Sequence, residues 1–133
     1  MICADTCFVI DFMKGDPGAL GVHEQYGKEE IAITDISIFE LFYGIYDARS
    51  MRKFHERLRQ MFEFVDGVHV LYSSNLFGVE AAEIQANVEK NGVFIKDNDA
   101  LIAGIMIRNG VKTIVTRDRK HFAKIPGMKV LTY

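Results

Sequence analysis

The chain lacks a basic excess. Its 16 Lys and Arg against 18 Asp and Glu leave a formal charge of −2 over 133 residues. That argues against a passive electrostatic binder of DNA or RNA and leaves room only for a local basic patch. Cysteine is scarce, with Cys3 and Cys7 the only two. Two cysteines exclude a disulfide framework, and no spacing supplies the other ligands that a zinc site needs. Both read as buried thiols of a reducing cytoplasm. Long apolar runs are missing too, and Asp5 and Asp11 interrupt the apolar residues near the start. Neither a signal peptide nor a membrane span is expected. The four histidines, His23, His55, His69 and His121, are scattered without metal-like spacing and read as surface or turn residues. With no repeat, no low-complexity tract and no Gly-, Pro- or Ser-rich linker, residues 1–133 are expected to form one domain.

What is present is alternation. Short apolar runs at 1–4, 31–33, 68–72, 113–115 and 129–131 read as strands, and amphipathic stretches lie between them. Phe8, Val9, Phe12 and Met13 make one helical stripe closed by Gly15, and Pro17 suits the first turn of a second helix ending near Tyr26. Thr34 or Asp35 caps a third helix bearing Ile36, Phe39, Tyr43 and Tyr46. A fourth is expected from Ser50, with Phe54, Leu58, Met61 and Phe62 on it. Ser73 or Ser74 should cap a fifth, striped by Leu76, Val79, Ala82 and Ala86. An extended run, Val93 to Ile95, precedes a sixth helix carrying Leu101, Ile102, Ile105 and Met106, which Gly110 is placed to stop. This order predicts right-handed crossovers and a mostly parallel sheet covered on both faces.

In such a fold the site lies outside the carboxyl ends of the strands, and single acids stand at those ends. Asp5 follows the first strand and Asp118 follows 113–115. Glu40 is on the helix after 31–33, while Asp97 and Asp99 open the helix that leads into 113–115. Each acid also has a local explanation. Asp5 suits a helix cap, as do Asp97 and Asn98, and Asp99 suits the positive end of a helix dipole. Ser37-Ile38-Phe39-Glu40 matches a capping box, and Asp118 lies between Arg117 and Arg119 in an arrangement that suits a surface ion pair. Clustered carboxylates are unfavourable unless a cation or protons neutralise them. An all-oxygen set suits magnesium or manganese, which can activate water and stabilise the leaving oxyanion of a phosphodiester. Such chemistry needs no Ser, Cys or His nucleophile.

The chain resembles the PIN-domain ribonucleases, and among them the VapC-type toxins of toxin–antitoxin pairs. The likeness spans nearly all of it. Its markers are the early strand ending on Asp5-Thr6, then Glu40-Leu41 with Tyr43-Gly44, and Asp99-Ala100-Leu101-Ile102-Ala103. Thr116-Arg117-Asp118 follows, with His121-Phe122 and Ile125-Pro126-Gly127 after it. The resemblance implies a three-layer α/β/α sandwich around a mostly parallel sheet, a homodimer, and magnesium- or manganese-dependent cleavage of RNA. Matched position by position, the catalytic and metal-binding quartet falls on Asp5, Glu40, Asp99 and Asp118, with Thr116 as a polar companion. Asp97 is near enough to join the quartet or only to cap its helix.

The large apolar side chains Phe39, Phe42, Tyr43 and Tyr46 exceed what one helical stripe needs, which suits a symmetric dimer or a groove for the amphipathic segment of a cognate antitoxin. Arg117, Arg119 and Lys96 are the cations nearest the acids and the candidates for RNA contact. A receiver domain would place a phosphoacceptor Asp after its third strand, where Val70-Leu71-Tyr72-Ser73 stands. A haloacid-dehalogenase-like phosphatase would want an Asp where Cys7 is. A PIN nuclease of RNA processing that is no toxin, and a non-catalytic interaction module, remain as alternatives.

Overall fold

The structure is a computed structural model describing residues 1–27, 30–50 and 52–133. Among the described residues, five strands form one parallel sheet in the order β3-β2-β1-β4-β5. The strands are β1 (Ile2–Ala4), β2 (Ile31–Thr34), β3 (His69–Leu71), β4 (Thr113–Val115) and β5 (Lys129–Leu131). Seven helices connect and cover them: α1 (Thr6–Met13), α2 (Pro17–Tyr26), α3 (Asp35–Tyr46), α4 (Phe54–Gly67), α5 (Phe77–Lys90), α6 (Asp97–Arg108) and α7 (Arg119–Phe122). None is long and apolar enough to cross a membrane.

Successive strand residues feed opposite faces, which is why the strands are short runs of apolar residues throughout. Ile2, Ala4, Ile33 and Val115 pack with Phe8, Val9, Ala19, Leu41 and Met61 from α1 to α4. Cys3, Ala32 and Ile114 pack on the other side with Ile84, Val88, Ile102, Ile105, Met106 and Phe122 from α5, α6 and α7. The expected three-layer arrangement is thus observed.

Beyond β1 the chain moves outward through β2 and β3, then returns to lay β4 against the free side of β1. The direction of winding therefore reverses between β1 and β4, and the crevice of a parallel α/β sheet opens at such a reversal. Cys3 stands opposite Ile114 and Ala4 opposite Val115, so Asp5 and Thr116 emerge side by side at the carboxyl edge. α6 runs back antiparallel to β4, which brings its N-terminus to the same edge. α5 and α6 approach closely at Gly104, where a Cβ would lie 2.9 Å from the Phe77 carbonyl oxygen and 3.0 Å from the Ala81 nitrogen.

Several expected boundaries shift. Val93 to Ile95 joins no strand. α4 begins at Phe54 rather than Ser50, because Lys53 takes a left-handed conformation (φ 60°) just before it; Met51 of the expected helix lies outside the described residues. α4 runs on through Asp66 and Gly67, and of the expected strand 68–72 only His69–Leu71 is formed. α5 begins at Phe77, and its buried residues are Ala81, Ile84 and Val88. The expected stripe of Leu76, Val79, Ala82 and Ala86 faces solvent. Ser73 does not cap this helix; its backbone N–H and hydroxyl donate to Asp35 at 2.9 and 2.7 Å.

Candidate active site

Asp5 is both a helix cap and the floor of a cleft. Its Oδ1 accepts the Thr6 backbone N–H at 2.8 Å, and its Oδ2 accepts the Thr116 hydroxyl at 2.7 Å. Thr116, fully buried, accepts in turn the Asp118 backbone N–H at 2.9 Å. One hydroxyl therefore links the ends of β1 and β4 and orients the turn carrying Asp118. The Cys7 thiol donates to the same Asp5 oxygen at 3.2 Å. Burial, and then the Asp5 charge, push that thiol above its ordinary range.

Glu40 reaches the cleft from the second turn of α3 and is gripped at both oxygens. Thr6 Oγ1 donates to Oε2 at 2.5 Å, and Asn98 Nδ2 donates to Oε1 at 2.8 Å. It takes no part in a capping box, because the cap of α3 is Thr34, bonded to the Ser37 N–H. Asn98 likewise caps nothing: the N-cap of α6 is Lys96, with no side-chain bond.

Asp99 lies one residue further along α6. Its Oδ2 is 2.6 Å from His121 Nδ1, and the Asp118 carboxylate is 3.4 Å from the same nitrogen. That Asp99 oxygen is buried and has no aligned hydrogen-bond donor among the described residues, so the contact is an ion pair only with a protonated imidazole. Burial raises the Asp99 carboxyl above its usual range; the facing imidazole opposes the rise and the Asp5 charge adds to it.

Asp5, Glu40, Asp97, Asp99 and Asp118 line a single open cleft of about 1050 Å³, with Lys96, Arg117 and His121 at its walls and Phe39, Tyr43 and Phe94 on its apolar side. A smaller hollow of about 410 Å³ between α1 and α4 is lined mainly by Phe8, Val9, Phe12, Phe64 and Val68 and holds none of these acids.

The sequence profile of the PIN domain matches residues 2–128. The chain belongs to the PIN-domain family. Within the family it is of the VapC type and is a nuclease. It is 30% identical over 98 residues to ribonuclease VapC2 of Rickettsia felis, covering 74% of this chain and 70% of that protein. It is 23% identical over 130 residues to the tRNA(fMet)-specific endonuclease VapC of Salmonella typhimurium, covering 98% of this chain and 94% of the relative. Among solved structures, VapBC2 of Rickettsia felis bound to a DNA fragment from their promoter superposes with a TM-score of 0.81 at 25% identity. That match covers all of this chain and 99% of the other.

The cleft of this PIN domain thus contains every acid singled out in the sequence, in unequal roles. Asp97 sits at the rim and accepts from Gln85 Nε2 at 2.8 Å. Arg117 forms no ion pair with Asp118. Its Nη1 lies 3.0 Å from Asp11 Oδ2, which also accepts the Tyr133 hydroxyl at 2.8 Å. His121 is no surface residue, for it stands between Asp99 and Asp118; the signal that could have found it is its place three residues after Asp118. Asn98 and Thr6, the two clamps on Glu40, flank acids already identified.

The donor set fits a hard divalent cation in chemistry, being all carboxylate oxygen, and the buried Asp99 oxygen lacks an aligned donor. Among the described residues, however, no three Asp, Glu, His or Cys side chains are already arranged to hold one. Each acid instead has neighbours of its own: Glu40 accepts from Thr6 and Asn98, Asp5 accepts from Thr116, and Asp99 lies against His121.

Proposed function

We propose that residues 1–133 act as one magnesium- or manganese-dependent endoribonuclease domain, the toxin of a toxin–antitoxin pair. The observation that carries this reading is the meeting of four acids from separate parts of the fold in one cleft, at the point where the winding of the sheet reverses. Asp5, Glu40, Asp99 and Asp118 would hold the cation, with Asp97 at the rim. When bound, such an ion lowers the pKa of a water and stabilises the oxyanion leaving a phosphodiester. The protein's own part is orientation. Thr116 fixes Asp5, Thr6 and Asn98 fix Glu40, and His121 balances Asp99 and Asp118 until they are engaged. Arg117, held by Asp11, offers a fixed guanidinium to a phosphate at the edge of the cleft.

RNA as substrate is supported by the two relatives whose names are those of ribonucleases. An antitoxin partner is supported by the VapBC complex that shares the fold, and by the aromatic surface of α3 and α4. There Phe39, Tyr43, Tyr46 and Phe62 are each more than half exposed, an apolar area that monomers seldom leave bare. We assign this surface to an antitoxin segment and to a second copy of the chain in a homodimer. The cytoplasm is the compartment that suits free thiols and an RNA substrate.

Two measurements test the reading. Purified protein should cleave RNA with magnesium or manganese and stop when EDTA is added; cleavage undiminished by EDTA would remove the metal site. Induced in its natural host, the protein should arrest growth, Asp5→Ala should abolish the arrest, and a co-expressed upstream partner should restore growth. Harmless overexpression of an active enzyme would leave a nuclease and remove the toxin.

A further inference from the structure

Beside the acidic cleft runs a second open groove of about 740 Å³, lined by Cys7, Arg117, Asp118, Arg119, Lys120 and His121. Cys7, Arg117, Asp118 and His121 line the cleft as well, so the groove opens directly into it. The three cations of this groove are in different states. Arg117 is committed to Asp11, whose carboxylate the Tyr133 hydroxyl also holds. Arg119 and Lys120 are exposed and, among the described residues, have no ionic or hydrogen-bonded side-chain partner. Asp118, the acid next in sequence to Arg119, faces His121 instead.

Arg119 and Lys120 are exposed and, among the described residues, unpaired, so neither contributes an ion pair to the fold, and both are free to meet an external charge. The arrangement suits a polyanion. A nucleic-acid backbone approaching clustered acids is repelled everywhere except where free cations meet it, and on a chain of net charge −2 such places are few.

Resting on the ribonuclease reading above, we infer that the groove over α7 is the backbone subsite of the enzyme: it takes the phosphates next to the scissile one, and Arg119 and Lys120 bind them. Long, unpaired side chains on a surface helix supply affinity and register, whereas the acids supply chemistry. Arg117 marks the border between the two. Its guanidinium is oriented by Asp11, so it adds a fixed contact where the strand enters the cleft.

The test compares wild-type protein with the double variant Arg119→Ala, Lys120→Ala, using a short fluorescent single-stranded oligoribonucleotide over a range of KCl. Binding is read by anisotropy without divalent metal, and cleavage by initial rates with magnesium. Losing two phosphate contacts should lower the slope of log affinity against log salt by about 1.4, at roughly 0.7 per contact on a single strand. KM should rise at low salt with kcat unchanged, and the melting temperature should stay at the parent value. A second double variant lacking exposed cations at the amino-terminal edge of the sheet, Lys112→Ala, Lys129→Ala, should keep the wild-type slope. An unchanged slope in the α7 variant, or a fall in kcat at constant KM, overturns the subsite. Wild-type protein that binds the strand through this groove but never cleaves it overturns the ribonuclease reading alone. Failure to bind at all overturns both.

Discussion

Asn98 Nδ2 lies 2.8 Å from Glu40 Oε1, so α6 steadies the acid of α3 one residue before presenting Asp99 to the same cleft. With the Thr6 hydroxyl on the other oxygen, Glu40 is fixed by neutral donors from two elements. Groups that orient a ligand in this way tune metal affinity almost as strongly as ligands do. Asn98→Ala should therefore weaken manganese binding by about 10- to 100-fold, measured by calorimetry on RNA-free protein. The melting temperature should hardly move, because Asn98 caps no helix. Parental metal affinity in this variant would mean that Glu40 needs no such support.

Asp99 gives a stability prediction with a definite sign. Its folded-state carboxyl titrates above the ordinary range because it is buried, so the native protein takes up a proton more readily than the unfolded chain. The stability tied to that proton is fully present below the unfolded value of about 4. It is lost as pH rises through the higher folded value. In metal-free protein at neutral pH, Asp99→Asn should raise the melting temperature, and its advantage should vanish as pH falls toward the ordinary carboxylate range. A variant less stable than the parent at neutral pH would show that the His121 pairing outweighs desolvation.

The contact of α5 with α6 is equally testable. A methyl at position 104 would sit against backbone atoms of Phe77 and Ala81 that cannot swing aside. Gly104→Ala should destabilise the fold by about 1–3 kcal/mol in chemical denaturation, despite the better helix propensity of Ala. A neutral or stabilising result would show that the two helices can separate freely.

On the outer aromatic surface the expectation reverses. Phe39 and Tyr46 are both 61% exposed, so Phe39→Ser with Tyr46→Ser should change stability by no more than about 0.5 kcal/mol per site. The pair should convert a dimer to a monomer in sedimentation and weaken capture of the antitoxin. A large loss of stability with unchanged association would make these side chains part of the core.

The sheet and the positions of the acids were legible because both follow from short-range pattern. Each strand is a brief apolar run, and each acid closes such a run or opens the helix beside it. What escaped the sequence depends on contacts between distant elements. α5 carries apolar residues on two faces, and only its approach to Gly104 of α6 decides that Ala81, Ile84 and Val88 turn inward while Leu76 and Val79 stay out. Ser50 is the right residue type to start a helix, yet the left-handed Lys53 delays the start to Phe54. His121 is isolated in the sequence because its partner Asp99 lies on another helix. Adjacency in the sequence sets Arg117 beside Asp118, although the fold delivers its guanidinium to Asp11, which the Tyr133 hydroxyl also holds.

The most direct measurement is RNA cleavage by Asp99→Asn in saturating magnesium, beside a melting curve of the same sample. Asn keeps the size of the side chain and removes the charge that the quartet needs. The account predicts a folded protein, at least as stable as the parent without metal, whose cleavage rate falls by orders of magnitude. Cleavage at the parental rate by that folded variant would contradict it.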